Sequence, residues 1–556
     1  MFYSGNTFCP SGATDIAALE SLWRFIKLKI ITCATSHSNM GTITIAFVLL
    51  VLAIVIARFS KRSRYPLPPG PKPWPIIGNA LDMPLDRPWE TYAKWCKQYD
   101  SDLVFVEIPM QPNIIVGSFK VCVELFDKRS QIYSDRIPPA VVDMMGGDSM
   151  FSIMRYGSSW RAHRRMFHQH FHAAVVQNYR PIQLQQTRAL LSWLLDAPEN
   201  TRKRIRQFVT SIVFSITYGK QIAGMEDEYV TLAEVSIEGM SRACVPGAYF
   251  VNLLPVLKHI PSWVPGTAAR KLVDHYRPYV FEARNKPYDE LKDAFIKGVA
   301  PPSVATSLIE EVRAKYGETE EEGPNDIIAK NVAAIAYGAG ADTTSSSSLS
   351  FLLAMAMFPE VQKKAQAELD RVLGPERLPT FEDVDEIPYI QAVVMETLRW
   401  MPVTPFGIPH AVMEDDQYEG YHIPKGTQLI PNVWAMLRNP VDYPNPDQFM
   451  PERFIGKDGN INPDVLNPAS IAFGFGRRAC PGKHLAMSTL KIYAASVLYA
   501  FDISAGVDAD GNAVALTNEQ VGALISMPNT VPCGLKPRSE AIERLIRVGV
   551  QDSETK

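Results

Sequence analysis

Apolar positions change their spacing several times along the chain, and each change marks an element. Residues 41–59, GTITIAFVLLVLAIVIARF, carry no charge until Arg58. As a helix this run is roughly 28 Å long, close to the thickness of a bilayer core, so it predicts a membrane-spanning helix. Arg58, Lys61, Arg62 and Arg64 follow at once, which places the downstream body on the cytosolic side. From residue 85 to about 400 the helical period dominates. Its longest stretch, IIAKNVAAIAYGAGADTTSSSSLSFLLAMAMF at 327–358, is small and apolar all round and predicts a helix buried through the centre of the fold. PEVQKKAQAELDRVL, at 359–373, opens on a proline and spaces its charges along one face, as a surface helix would. Strand-like pieces are short: SDLVFVEI (101–108), PNIIVGS (112–118) and YEGYHIPKGTQLI (418–430). The expected fold is mainly α with small β-sheets, preceded by a single N-terminal transmembrane helix.

Between the apolar run and the body lies YPLPPGPKPWPIIGN (65–79), whose prolines favour an extended, semi-rigid strut. The expected organisation is an N-terminal extension at 1–40, an anchor at 41–59, a basic and proline-rich hinge at 60–79, a body at 80–540 and a tail at 541–556. Met40 would by itself open a compact signal anchor. Composition narrows the function. A net charge of −3 gives no nucleic-acid footprint. Seven scattered cysteines, an odd number with no CxxC pair, argue against a disulfide framework. The absence of an N-x-[ST] sequon fits a body that never enters the secretory lumen. No glycine-rich phosphate loop occurs, so the chain carries no evident nucleotide site of its own.

One cysteine stands apart from the rest. FGFGRRACPG, residues 473–482, sets Cys480 among three glycines and two arginines. Positive charge and backbone N–H groups favour a deprotonated sulfur, which is what a metal-binding or reactive thiol needs. Three further motifs share polar residues at helical spacing. Glu396 and Arg399 in ETLR lie on one helix face and can pair. Trp160 and Arg164 in WRAHR lie four apart, presenting an indole N–H and a guanidinium together. AGADTT (339–344) puts an acid and a hydroxyl inside the long apolar helix, where Thr343 can bond back to a preceding carbonyl. HQHFH (168–172) resembles a metal cluster, although it falls at the end of the WRAHR helix.

The ten-residue loop fits F-x-x-G-x-R-x-C-x-G, and with it the chain resembles the cytochromes P450, from the anchor to about residue 537. RSQIYSDR and YGSSWRAHRRMFHQHF are similar to fungal, mushroom-type members of secondary metabolism. The resemblance implies haem b with Cys480 as axial ligand. Gly476 and Gly482 would wrap the sulfur and donate to it, Phe473 would shield it, and Arg478 would pair with a haem propionate. Trp160, Arg164 and His410 are implied as further propionate contacts. Glu396, Arg399 and Arg453, the last from PERF, are implied as a buried triad fixing the core beneath the loop. Gly340 would make room for dioxygen, while Asp342 and Thr343 would deliver protons.

The activity implied is insertion of one atom of O2 into a C–H bond. About seventy residues follow the loop, too few for a fused flavin domain, so electrons from NADPH would come through a separate NADPH–cytochrome P450 reductase, with cytochrome b5 as a second donor. Arg161, Arg165, Arg477 and Lys483 are candidates for that docking face. Met144, Met145, Phe151, Phe406 and Met527 suggest an apolar lining for a bulky lipophilic substrate, a terpenoid first, with polyketides, aromatics and fatty acids behind it. The location implied is the endoplasmic reticulum membrane. A non-oxygenating haem-thiolate isomerase or dehydratase is the competing class, and such enzymes typically lose the acid–threonine pair that this chain keeps.

Overall fold

The computed structural model describes residues 65–554, apart from short breaks at 76, 85, 109–110, 225, 245–247, 254, 262–267, 508–510 and 523. The expected anchor at 41–59, the extension before it and the start of the hinge lie outside the described residues. Among the described residues, no helix is long and apolar enough to cross a membrane.

The longer helices, in chain order, are α1 (Pro88–Gln98), α2 (Ser158–Phe171), α3 (Arg180–Asp196), α4 (Thr201–Tyr218), α5 (Glu228–Ala243), α6 (Ala268–Ile296), α7 (Val304–Tyr316), α8 (Glu322–Met357), α9 (Pro359–Leu373), α10 (Pro388–Trp400), α11 (Lys483–Ala500) and α12 (Glu540–Glu554). Residues 541–554, read as a tail, thus belong almost wholly to a helix, which packs on α3 through buried Ile542 and Ile546.

Helix α8 runs 36 residues and is buried along most of its length. Its serine run is compatible with burial because the hydroxyls bond back along the helix. Ser345 reaches Ala341 O at 2.7 Å, Ser348 reaches Thr344 O at 2.9 Å and Ser350 reaches Ser346 O at 2.9 Å. Helices α2, α4, α7, α10 and α11 all pack against it, so one helix organises the core.

A four-stranded sheet has the order β1-β2-β6-β3, with β1 at Leu103–Ile108, β2 at Gln111–Val116, β3 at His410–Ala411 and β6 at Gln428–Pro431. β2 and β6 are parallel, while β1 and β3 run antiparallel to their neighbours. The stretch 418–430, expected as one strand, is broken. Glu419 and Gly420 take positive φ and turn β4 (Asp416–Tyr418) back on β5 (Tyr421–Ile423), and β6 begins only after Gly426 at φ 81°. The proline-rich stretch is docked as well as extended. Phe105 N–H donates to Pro69 O at 2.8 Å, and Glu107 N–H donates to the Asn79 side chain at 2.9 Å. A Cβ at Gly70 would lie 1.9 Å from Phe105 O, so glycine is required for that approach.

Candidate active site

Cys480 lies between a 3-10 turn, Gly476–Arg478, and the first turn of α11. The loop is closed by Cys480 N–H donating to Phe473 O at 2.7 Å. Gly476 sits at φ 54°, and a Cβ there would lie 2.0 Å from Phe126 O. Its N–H donates to Asp127, not to the sulfur. The backbone N–H groups of Gly482 and Lys483 instead act on the sulfur, favouring its charged form. Gly476, expected to donate to the sulfur, thus spends its N–H on Asp127. Cys480 has exposed surface, yet protein closes around it. Those two facts agree for a residue on the wall of a deep recess. Burial pushes the thiol up, while the Gly482 N–H and then the charge of Arg164 pull the other way. A thiol in this state holds its proton until a cation displaces it.

Around this recess stand three arginines. Arg164 comes from α2, Arg478 from the loop and Arg136 from the segment before α2. Arg478 is largely spent on the backbone: Nε donates to Ser134 O at 2.7 Å, Nη1 to Phe151 O at 3.2 Å and Nη2 to Met154 O at 2.6 Å. It therefore staples the loop to residues 134–154, and burial lowers it to about 10. Its guanidinium lies 4.5 Å from the ring of buried Trp160, which the structure presents as a stacking partner. Arg136 is buried, and its Nε and Nη1 have no hydrogen-bond partner. Burial, Arg478 and Arg164 together drive it well below the ordinary arginine range. Arg164 too has neither a hydrogen bond nor an ion pair among the described residues, and burial lowers it.

His410 completes the cluster from β3. It is buried, stacks on Phe126 with ring centroids 4.2 Å apart, and holds Tyr133 O at 2.8 Å through Nδ1. Burial and the charge of Arg136 lower it to about 3, so it is neutral. The nearby acid, Asp135, is already taken by Arg155 at 2.9 Å and by Tyr156 N–H at 2.7 Å. A group with two carboxylates and a demand for one soft axial ligand would satisfy this set. Haem b is such a group, and these residues fit it.

On α8, Ala339 is exposed and Thr343 donates to its carbonyl at 2.8 Å, the back-bond expected from the sequence. Gly340 does not face open space: a Cβ there would meet Val213 of α4 at 2.9 Å, so this glycine lets two helices approach. The expected space for dioxygen is not provided by Gly340. Asp342 is buried and held by Arg206 of α4, with Nη2 2.7 Å from Oδ1. Arg206 also reaches Glu234 of α5 at 3.1 Å. Burial raises the Asp342 carboxyl, Arg206 pulling it down less strongly. Sequence reasoning read Asp342 as a free relay and missed the arginine that restrains it.

Glu396 and Arg399, wholly buried on α10, meet through two contacts of 2.8 Å, and Arg453 Nε lies 3.2 Å from Glu396. Arg399 also donates to Leu437 O and Gln448 O, and Glu396 accepts from Met450 N–H. The structure thus brings all three together. It does not bring 168–172 into a metal site. His170 faces Glu311 at 3.3 Å, and among the described residues no group of three or more potential ligands could hold a metal. Of the apolar residues expected to line a substrate pocket, Met145, Phe151 and Phe406 are buried in core clusters. Met144 and Met527 keep partial exposure.

Arg136 and Arg206 are the residues the sequence reading missed. Arg136 closes the stretch YSDR but obeys no spacing rule, and Arg206 sits in TRKRIRQ, which reads as a solvated face.

Comparison with known proteins gives the same direction. The sequence model of the cytochrome P450 family matches residues 68–523. The chain is 42% identical over 497 residues to the cytochrome P450 monooxygenase COX2 of Coprinopsis cinerea, covering 89% of this chain and 93% of that protein. It is 41% identical over 489 residues to the monooxygenase ple1 of Rhodocybe pseudopiperita, covering 88% and 92%. With the P450 eriA of Hericium erinaceus it shares 38% over 524 residues, covering 93% and 97%.

Proposed function

Because the chain belongs to the cytochrome P450 family and is a monooxygenase, we propose that it inserts one oxygen atom of O2 into a lipophilic small molecule. The class we assign is a terpenoid or related intermediate of secondary-metabolite biosynthesis. The observation that carries the chemistry is buried, unpartnered Arg136 and half-buried, unpartnered Arg164 beside the Cys480 thiol, whose charged form the Gly482 and Lys483 N–H groups favour.

When bound, haem supplies the redox chemistry of dioxygen activation, favoured by the electron density of a thiolate ligand. Cys480 would yield its proton to serve as that ligand, and the Gly482 and Lys483 N–H groups would favour the resulting thiolate. Arg136 and Arg164, with His410, would hold the two carboxylates of haem, and Arg478 would add only the N–H groups that its backbone bonds leave over. Thr343, bonded to Ala339 O, loosens the α8 backbone so that a water can lodge beside it. Asp342, its carboxyl raised by burial, exchanges a proton there once Arg206 lets go.

Electrons come from NADPH through a separate reductase, with cytochrome b5 as a second donor. The apolar run at 41–59 and the basic residues after it support a single-pass anchor in the endoplasmic reticulum membrane, with the body facing the cytosol. Deletion of residues 43–57 should then make the protein extractable by alkaline wash, and full retention would refute the anchor.

Incubation of the haem-loaded protein with reductase, NADPH and a panel of terpenoids, followed by untargeted product profiling, tests the substrate class. Products from fatty acids alone would overturn it. Thr343→Ala should keep haem content and substrate binding while product falls and hydrogen peroxide rises for the same NADPH consumed. Full coupling in that variant would remove Thr343 from proton handling.

A further inference from the structure

Arg206 of α4 stands between two acids and gives one end of its guanidinium to each. Nη2 lies 2.7 Å from Asp342 Oδ1 of α8, and Nη1 lies 3.1 Å from Glu234 Oε1 of α5. The two acids sit in opposite surroundings: the Asp342 side chain is 6% exposed and that of Glu234 is 44% exposed. The fork is therefore divided between a buried carboxylate and a wet one, although a guanidinium can close both ends on a single carboxylate. The chemistry above uses Asp342 and leaves Glu234 without a task.

Glu234 is held at this distance by its own helix. Five residues earlier on α5, the carbonyl of Tyr229 accepts the Tyr337 hydroxyl of α8, and the Tyr229 ring lies 4.7 Å, centroid to centroid, from Phe214 of α4. The other cations on this part of α4 are engaged elsewhere. Arg202 donates to Pro528 O at 3.0 Å and Asn529 O at 3.2 Å, Lys203 faces Glu226 at 4.0 Å, and Arg204 donates to Gln207 at 3.0 Å. Among the described residues, no cation but Arg206 reaches Asp342 or Glu234. Tyr337, its hydroxyl already bonded, is held protonated by burial, then by Tyr218, Asp227 and Asp342. Asp342 therefore answers to one arginine, and that arginine to one rival acid.

We propose that Glu234 is a positioning residue: it draws Arg206 off Asp342, so that the buried acid is free to pass a proton. The role rests on the monooxygenase reading, which supplies the demand for that proton. An arginine leaving a buried carboxylate needs somewhere to go, and a second carboxylate at 3.1 Å offers a charge-assisted contact in its place. Once Arg206 has moved, burial favours the neutral Asp342, and the like charge of Glu234 adds to that. The proton Asp342 then gives to the water beside Thr343 is replaced from bulk water on the half-exposed side of Arg206. No bond other than O–H is made or broken, and the cycle returns Arg206 to both acids.

Two measurements on the haem-loaded full chain test this. The first is an infrared titration of the Asp342 carboxyl, its band identified by loss in Asp342→Asn. In Glu234→Gln, Arg206 belongs to Asp342 alone and a like charge has gone, so the carboxyl should titrate at lower pH than in wild type. The second is turnover with saturating reductase, NADPH and the panel compound that wild type turns over fastest. Glu234→Gln should lower kcat about fivefold at pH 7.5, the scale of one half-exposed ion pair, with KM and product per NADPH unchanged. At pH 6.0 the deficit should shrink, since Asp342 then takes up its proton with less help. Glu234→Asp, which keeps the charge, should restore most of the rate. An unchanged Asp342 titration, an undiminished kcat, or a deficit equal at both pH values overturns the proposal and leaves the monooxygenase reading intact. A wild type that forms no product from any panel compound strikes instead at that reading, while the infrared titration still decides whether Glu234 governs Asp342.

Discussion

Two clusters of buried charge in this molecule follow opposite rules. Around Glu396 the two arginines that meet it find acceptors: Arg399 makes two contacts with the carboxylate and two with backbone carbonyls, and Arg453 adds a third side, while neighbouring Arg438 alone leaves a buried Nη1 unpartnered. Around Arg136, cations face one another, two of them lack partners, and the nearest acid is committed elsewhere. Burying a charge costs several kcal/mol unless it is paired, so a fold tolerates an unpaired set only where something else supplies the counter-charge. The first cluster is architecture. The second is the set that the function proposed above assigns to the carboxylates of haem.

Removing Glu396 should produce the largest effect. Glu396→Ala leaves Arg399 buried without its acid, which costs about 3–5 kcal/mol. Urea unfolding of the variant should show that loss, together with poor haem incorporation. A loss under about 1 kcal/mol would mean that the carbonyls of Leu437 and Gln448 satisfy Arg399 alone, and the two clusters would not differ as argued.

Arg136→Met should act in the opposite sense on the haem-free protein. It removes a desolvated cation that repels Arg478 and Arg164, so the apo midpoint should rise by about 2–4 °C. Haem retention should fall about tenfold, since a charge-assisted bond to a carboxylate is lost. A variant that lost stability without haem would show that Arg136 has a partner in the fold after all.

The difference between the clusters also explains what the sequence made legible. Glu396, Arg399 and Cys480 could be read because their partners lie at fixed spacing: three residues along one helix for the ion pair, and a ten-residue loop for the thiol. The long α8 could be read from its unbroken run of small apolar residues. Arg136 and Arg206 could not, because each acts across the fold on groups far away in sequence. Arg206 meets Asp342 only because Gly340 lets α4 approach α8. The same non-local packing buries Phe151 and Phe406 in cores, where chain order had suggested a pocket. Strand 418–430 failed for a local reason, a turn at Glu419 and Gly420 hidden inside an alternating pattern.

His410 offers the smallest and most diagnostic test. Its ordinary value of 6.5 is lowered to about 3 by burial and then by Arg136, so the folded protein keeps it neutral while the unfolded chain protonates it below about pH 6.5. Between those two values the unfolded state binds the extra proton, and stability must therefore rise with pH. The contribution is complete above pH 6.5 and drains away as pH falls towards 3, at no more than about 1.4 kcal/mol per pH unit. His410→Asn should flatten the stability curve of the apo protein between pH 6.5 and 4, leaving it nearly unchanged at pH 8. Arg136→Met should reduce the same slope in part, because one of the cations that repel a proton from His410 has gone. Loading with haem should reduce it further, since carboxylates beside the imidazole favour its charged form. Parallel curves for wild type and His410→Asn would show that His410 reaches solvent in the folded state. The cation cluster would then be wetter, and its arginines less in need of a ligand, than their missing partners imply.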